Sequence, residues 1–70
     1  MLIKKGQKLK IKHSRKGQFT GEASKDFNTE KSEYWPIVSC DYVEGLDTNW
    51  RPGERIPCRA CLIISWKIHE

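Results

Sequence analysis

Glycine and proline interrupt this 70-residue chain at short intervals, and no segment between them repeats its apolar residues with the period of a helix. This spacing favours short β-strands joined by turns. The length allows one domain, residues 1–70, with a small core. Apolar residues make up 37% of the chain and include three tryptophans, which is enough apolar surface for a folded protein. The interrupting residues are Gly6, Gly17, Gly21, Pro36, Gly45, Pro52, Gly53 and Pro57.

The clearest strand pattern lies near the N-terminus. Residues 8–13 alternate lysines with apolar side chains and His13, and residues 18–23 alternate polar side chains with apolar or small ones. The connection, residues 14–17, ends in a glycine. Two alternating runs across a short glycine-containing loop predict a β-hairpin. Its inward face is predicted to carry Leu9, Ile11, His13, Phe19, Gly21 and Ala23.

Three more strands are predicted further along the chain. Residues 24–33 are polar apart from Phe27, and they predict a loop held in place by that one buried aromatic. The third strand is predicted at residues 34–43. Pro36 within it has no N–H to donate to the hydrogen bonds between strands, and it therefore indicates an edge position or a strand start. A short strand follows at residues 54–57. The last strand, residues 62–69, is predicted to place Leu62, Ile64, Trp66 and Ile68 on one face. Five short strands with one apolar face each predict a small closed barrel.

Two motifs resemble those of SH3-like barrels. Residues 5–23, KGQKLKIKHSRKGQFTGEA, resemble the KOW-type motif of ribosomal and transcription-elongation proteins in their glycines and alternating apolar residues. Residues 50–57, with Trp50, Gly53 and the pair Ile56-Pro57, are similar to the fourth-strand ending of SH3 domains. The resemblance implies an all-β fold, a five-stranded SH3-like barrel with a short 3₁₀ turn at residues 58–61 before the last strand.

The chain also departs from peptide-binding SH3 domains. It lacks their aromatic-acidic opening motif, their tandem Trp-Trp pair and the Asn-Tyr-Val that follows Ile-Pro. The resemblance therefore does not imply the groove with which SH3 domains bind proline-rich peptides. Its size and its spacing of turns also resemble small uncharacterised proteins of phages and mobile elements.

Positive charge is concentrated at the N-terminus. Seven of the 13 basic residues and none of the nine acidic residues lie in the first sixteen positions, so residues 17–70 carry a net charge of −3. A basic stripe on one strand face and its loop is expected to contact phosphates of DNA or RNA. The alternative interpretation is a solvated strand face that discourages edge pairing. The predicted phosphate-binding residues are Lys8, Lys10, Lys12, Arg15 and Lys16.

Aromatic residues beside the loops extend this hypothesis. If exposed, Trp35 or Trp50 would stack on unpaired bases, although rings in so short a chain commonly belong to the core. Trp66, in the most apolar run, is predicted to be a core residue. Together with Tyr34, the loop aromatics also suit a second hypothesis, a protein-interaction module that docks on a host protein.

No constellation in the sequence predicts catalysis or a cofactor. His13, at the end of an alternating strand, is expected to be a hydrogen-bonded, partly buried imidazole. Cys58 and Cys61 form a CxxC motif, and Cys40, His13 or His69 could complete a zinc site with it. The sequence lacks the second pair of closely spaced ligands that zinc sites usually contain. Packed thiols are therefore expected instead. No phosphate-binding glycine loop or nucleophile elbow is present.

Targeting signals are also missing from the sequence. The N-terminus has no apolar run of signal-peptide length, and the longest apolar stretch, residues 61–64, is far too short to span a bilayer. With three cysteines, an odd number, the sequence predicts a cytoplasmic protein with reduced thiols. The leading hypothesis is thus a non-enzymatic nucleic-acid-binding module.

Overall fold

A computed structural model describes residues 1–69 and confirms the all-β class. Within those residues the chain forms nine strands and one short 3₁₀ turn, with no α-helix. No helix in that range has the length and apolarity needed to cross a membrane. The elements are β1 (Leu2–Ile3), β2 (Lys8–His13), β3 (Gly17–Ala23), β4 (Phe27–Asn28), β5 (Tyr34–Ser39), β6 (Val43–Glu44), β7 (Asn49–Trp50), β8 (Arg55–Arg59), η1 (Ala60–Leu62) and β9 (Ile63–Ile68).

Five strands form one antiparallel sheet in the order β8-β5-β3-β2-β9. The last strand therefore lies beside β2, the first strand of this sheet. Two short ribbons, β1-β4 and β6-β7, lie outside it. Over residues 1–69 the edge strands β8 and β9 are not paired with each other, so the sheet is open rather than closed into a ring.

The predicted hairpin is confirmed as β2 and β3. Its register runs from Lys8 opposite Glu22 to His13 opposite Gly17, and burial alternates along both strands. Gly17 has φ +71°, a left-handed conformation that other residues rarely adopt, so glycine at this position lets the turn close tightly.

The third predicted strand ends early, at Ser39. Of the two positions that Pro36 indicated, the edge position was wrong, whereas Pro36 does lie near the strand start, as the third residue of β5. β5 lies between β3 and β8, not at an edge. Pro36 is tolerated there because it lies just beyond the last β3–β5 pair, Ala23 opposite Ile37. On that side its carbonyl accepts hydrogen bonds from both the N–H and the hydroxyl of Ser24, and no N–H of residue 36 is required. Toward β8, Pro36 lies opposite Pro57, and no N–H is needed.

The predicted face of the last strand is confirmed at Trp66 and Ile68, which pack on the core, but it was wrong at Ile64, and Leu62 belongs to the preceding 3₁₀ turn. Lys12 pairs with Ser65 but His13 pairs with Ile63, so β9 contains a bulge at the intervening residue, Ile64. The bulge turns Ile64 outward, leaving it 61% exposed, and Ile63 packs on the core in its place. The predicted 3₁₀ turn is present but begins two residues later than expected, as η1.

The core lies on the inner face of the five-stranded sheet, beneath the two ribbons. Phe27 is buried and secures the polar 24–33 segment, as predicted. Its ring centre lies 5.2 Å from that of Trp35, which meets the edge of the half-buried Trp66 at 5.7 Å. The buried apolar residues are Ile3, Leu9, Ile11, Phe19, Ala23, Phe27, Trp35, Ile37, Val43, Ile56 and Cys58.

Candidate nucleic-acid interface

The outer face of β2 presents three lysines. Because side chains alternate along a strand, Leu9, Ile11 and His13 point into the core and the lysines between them point to solvent. Lys8 and Lys12 are exposed, and Lys10 is half-buried. Lys8 lies opposite Glu22 on β3, whereas Lys10 and Lys12 lie opposite the uncharged Thr20 and Gln18. The positive charge of this face is therefore centred on Lys10 and Lys12.

A third lysine joins them from the other side of β2. Lys67 of β9 lies directly opposite Lys10, and Ser65 lies opposite Lys12. Between these strands is a cavity of about 350 Å³, here called the lysine groove. It is lined by Lys10, Ile11, Lys12, Gln18, Ser65, Trp66 and Lys67.

No acidic side chain in residues 1–69 forms an ion pair with a residue of the lysine groove. The ion pairs found in that range join Lys4 to Asp26, Arg59 to Glu33, and the N-terminal amine to Glu30, none of which involves a groove residue. Like charges directly opposite each other on a sheet repel. The lysine groove thus holds like charges that a bound anion would neutralise.

Arg15 and Lys16 occupy the turn of the same hairpin, where they line a second cavity of about 180 Å³, here called the Trp50 pocket. The Lys16 ammonium lies 5.2 Å from the centre of the Trp50 ring, a distance typical of a cation–π contact. Burial lowers the pKa of Lys16; the nearby Cys58 thiol opposes this effect, and the charge of Arg15 adds to it.

The prediction that Trp35 could stack on a base was wrong. Its side chain is 4% exposed and packs between the rings of Phe27 and Trp66 in the core. A base could reach it only if the core opened. Trp50 is half-buried and borders a cavity, so of the two predicted stacking residues it alone has an accessible ring.

His13 and the cysteines lie apart from this surface chemistry. His13 is 2% exposed and thus more deeply buried than expected. Its Nδ1 accepts the expected hydrogen bond, of 3.1 Å, from the Arg15 N–H, whereas its Nε2 is buried with no hydrogen-bond partner in residues 1–69. Burial raises the pKa of Cys58 to about 12, although the charge of Lys16 partly opposes it. The expectation of packed thiols is met by Cys58 but was wrong for Cys61, which is exposed; Cys40 is half-buried. In the part of the chain that the structure describes, no three His, Cys, Asp or Glu residues are grouped as metal ligands.

Lys67 is the groove residue that was not predicted from the sequence. The concentration of positive charge that predicted the basic stripe lies in the first sixteen residues, and Lys67 lies more than fifty residues later. Alternation in the last strand does place Ser65 and Lys67 on one face, opposite to Trp66. This alternation places Lys67 beside the lysines of β2 only once the pairing of β9 with β2 is known.

Comparison with known proteins gives no relative from which a function could be transferred. The chain matches no protein-family model, no curated protein and no solved structure at a significant level.

Proposed function

We propose that the five-stranded sheet is an SH3-like barrel whose closure is incomplete. Three features support this proposal: the strand order, the return of β9 to the side of β2, and the single 3₁₀ turn that precedes β9. The residues that resemble the KOW-type motif form the β2–β3 hairpin, and this hairpin carries most of the candidate interface.

We further propose that the protein is a non-enzymatic module that binds nucleic acid through the lysine groove. The observation that carries this proposal is the placement of Lys10 directly opposite Lys67, in a cavity where no carboxylate of residues 1–69 pairs with either. A solvated strand face needs neither a cavity nor opposed lysines. A phosphate backbone would supply the anions that this arrangement lacks.

The proposed contacts set the expected salt dependence. Lys10, Lys12 and Lys67 in the groove, with Arg15 and Lys16 at the turn, give five cations. For five phosphate contacts, log K falls with log salt with a slope of about −3.5 for a single strand and −4.5 for duplex DNA. Affinity should then fall roughly 100- to 500-fold between 50 and 200 mM salt.

The test is the anisotropy of dye-labelled single-stranded and duplex oligonucleotides at both salt concentrations. The double variant Lys10→Glu/Lys12→Glu is expected to bind at least about tenfold more weakly than the wild type at 50 mM salt. The control Lys25→Glu/Lys31→Glu makes the same change in net charge at two exposed lysines outside the groove and should bind nearly normally. Absence of binding at 50 mM salt, or equal losses in both variants, would overturn the proposal.

The protein-partner hypothesis makes a different prediction for the same variants. Its aromatic surface is smaller than the sequence indicated, because Trp35 is buried, but Tyr34 remains 61% exposed with the Arg59 guanidinium 5.7 Å from its ring centre. A stoichiometric protein that is captured from lysate after nuclease treatment, and lost in Tyr34→Ala but not in the double charge reversal, would favour this alternative.

A further inference from the structure

The Trp50 pocket lies where two hairpin turns meet. One is the β2–β3 turn with Arg15 and Lys16, and the other is the β6–β7 turn, closed by a 2.9 Å hydrogen bond from the Gly45 N–H to the Thr48 carbonyl. Gly45 packs so closely on the indole that an added Cβ would lie 2.5 Å from Cζ3 of Trp50. The ring is therefore held by backbone on one edge and borders the cavity on another.

The pocket combines an aromatic ring with side chains of both charges. A phosphate inside it would meet the carboxylate of Asp47 as well as the cations of Arg15 and Lys16. An uncharged ring needs no counter-charge, and it leaves the two cations to phosphates beside the pocket. The volume of about 180 Å³ is below the range of about 300–1,000 Å³ typical of pockets for larger ligands, so it suits a single ring system. The indole offers a flat apolar face on which any nucleobase can stack.

The pocket follows the lysine groove along the hairpin, although the two share no lining residue. Lys12 and Gln18 are paired and line the groove, and the turn residues that line the pocket begin beyond the next pair, His13 and Gly17. The chain from Lys12 to Arg15 is three residues long and spans at most roughly 10 Å. A strand whose phosphates lie in the groove can thus bring a neighbouring base to Trp50.

We infer that the protein prefers single-stranded nucleic acid, with the backbone in the lysine groove and one unpaired base stacked on Trp50. This inference rests on the proposed function. A duplex keeps its bases stacked inside the helix and cannot place one in the pocket without flipping it out. The Lys16 ammonium, on its flexible stem, leaves the ring face and moves to a phosphate when a base stacks there.

The experiment compares Trp50→Leu and Trp50→Phe with the wild type, using a dye-labelled 12-nucleotide thymidine strand and a 12-base-pair duplex at 50 mM salt. Loss of one stacked base is expected to weaken single-strand binding of Trp50→Leu about 5- to 150-fold. Trp50→Phe keeps a smaller ring and should lose less. Duplex affinity should stay unchanged in both variants, which also shows that their lysine groove is still folded.

A second measurement does not depend on the Leu variant folding. Thymidine-strand binding should quench tryptophan emission in the wild type. The share of that quenching that comes from Trp50 should disappear in Trp50→Phe, which leaves only the contribution of the half-buried Trp66 at the groove, because Trp35 is buried in both. If quenching is equal in the two proteins, or if single strand and duplex lose affinity equally in a folded variant, the stacking inference is wrong although the proposed function stands. If the wild type binds neither oligonucleotide, the proposed function itself fails.

Discussion

Lys67 illustrates how one side chain affects binding and stability in opposite directions. Lys67 is paired with Lys10 across the two strands, and like charges at such opposed positions on a sheet cost a few tenths of a kcal/mol to about 1 kcal/mol. We expect Lys67→Gln to raise the melting temperature by a few degrees at 20 mM salt, and to weaken oligonucleotide binding in the same buffer.

Salt provides the control for this prediction. The gain in melting temperature should disappear at 1 M salt, where the screening length is about 3 Å. Lys31→Gln, an equal change in charge outside the groove, should alter neither property appreciably. A Lys67→Gln protein that melts no higher than the wild type at low salt would show that the two ammonium groups do not repel each other.

His13 makes the stability of the fold sensitive to pH. Burial lowers the pKa of His13, and the charges of Lys16 and Arg15 lower it further. Protonation of Nδ1 would also remove the acceptor of the Arg15 N–H. Since the unfolded chain takes up this proton near pH 6.5 and the folded chain only at lower pH, the stabilising contribution is complete above pH 6.5 and is lost as pH falls below it.

We therefore expect the free energy of unfolding to fall between pH 7.5 and pH 5.5, by at most about 1.4 kcal/mol per pH unit. His13→Asn keeps a side-chain acceptor near the Arg15 N–H but cannot titrate in this range, so its stability should change less with pH. Urea denaturation of both proteins at three pH values is the measurement. Parallel pH dependence in the two proteins would assign the effect to other groups.

At the scale of the elements, packing between strands makes Gly21 indispensable. It lies in the middle of β3, opposite Leu9 on one side and Ser39 on the other, and an added Cβ would collide with Cγ2 of Ile37. Ile37 is fully buried, so its side chain has little room to move. We expect Gly21→Ala to destabilise the protein by about 1–3 kcal/mol.

The double variant Gly21→Ala/Ile37→Leu tests the cause of that loss. Leucine has no methyl group corresponding to Cγ2 of Ile37, the atom that the new Cβ would meet. Part of the stability should therefore return, measured as a non-additive term in a denaturation cycle. Full additivity of the two single losses would mean that the cost of Gly21→Ala has another origin.

Patterns confined to one element were predictable, and those that depend on a neighbour were not. The β2–β3 hairpin and its outward lysines follow from period-two alternation and a glycine turn. The bulge at Ile64 depends on how β9 pairs with β2, which no local pattern of the chain reveals. Residues 34–43 carry apolar side chains on both faces, so the inward position of Trp35 became clear only from the pairing of β5 with β3 and β8.

At the scale of the whole molecule, the core and the lysines of the groove occupy opposite faces of the same sheet. Leu9, Ile11 and His13 bind β2 to the core, while the lysines between them face the groove. The strand that presents the charges is thus held rigidly by hydrophobic packing. A ligand that bridges β2 and β9 on the outer face also joins two neighbouring strands of the open sheet, so oligonucleotide binding should raise the stability of the sheet as a whole.

The reactivity of Cys58 on the edge strand β8 tests whether the open sheet unfolds as one unit. β8 contributes Ile56 and Cys58 to the core, at 0% and 1% exposure, so it cannot separate from β5 without opening that core. We expect Cys58 to react with iodoacetamide at pH 8 only after global unfolding, at a rate that rises with urea in step with the unfolding equilibrium. Its pKa of about 12 gives a second protection, because only about one native thiol in 10⁴ is ionised at that pH.

The exposed Cys61 is the internal control. It should react quickly and independently of urea, and mass spectrometry of digested peptides distinguishes its labelling from that of Cys58. Cys58 labelling that is insensitive to low urea concentrations would show instead that β8 detaches locally, and that the sheet is not one cooperative unit.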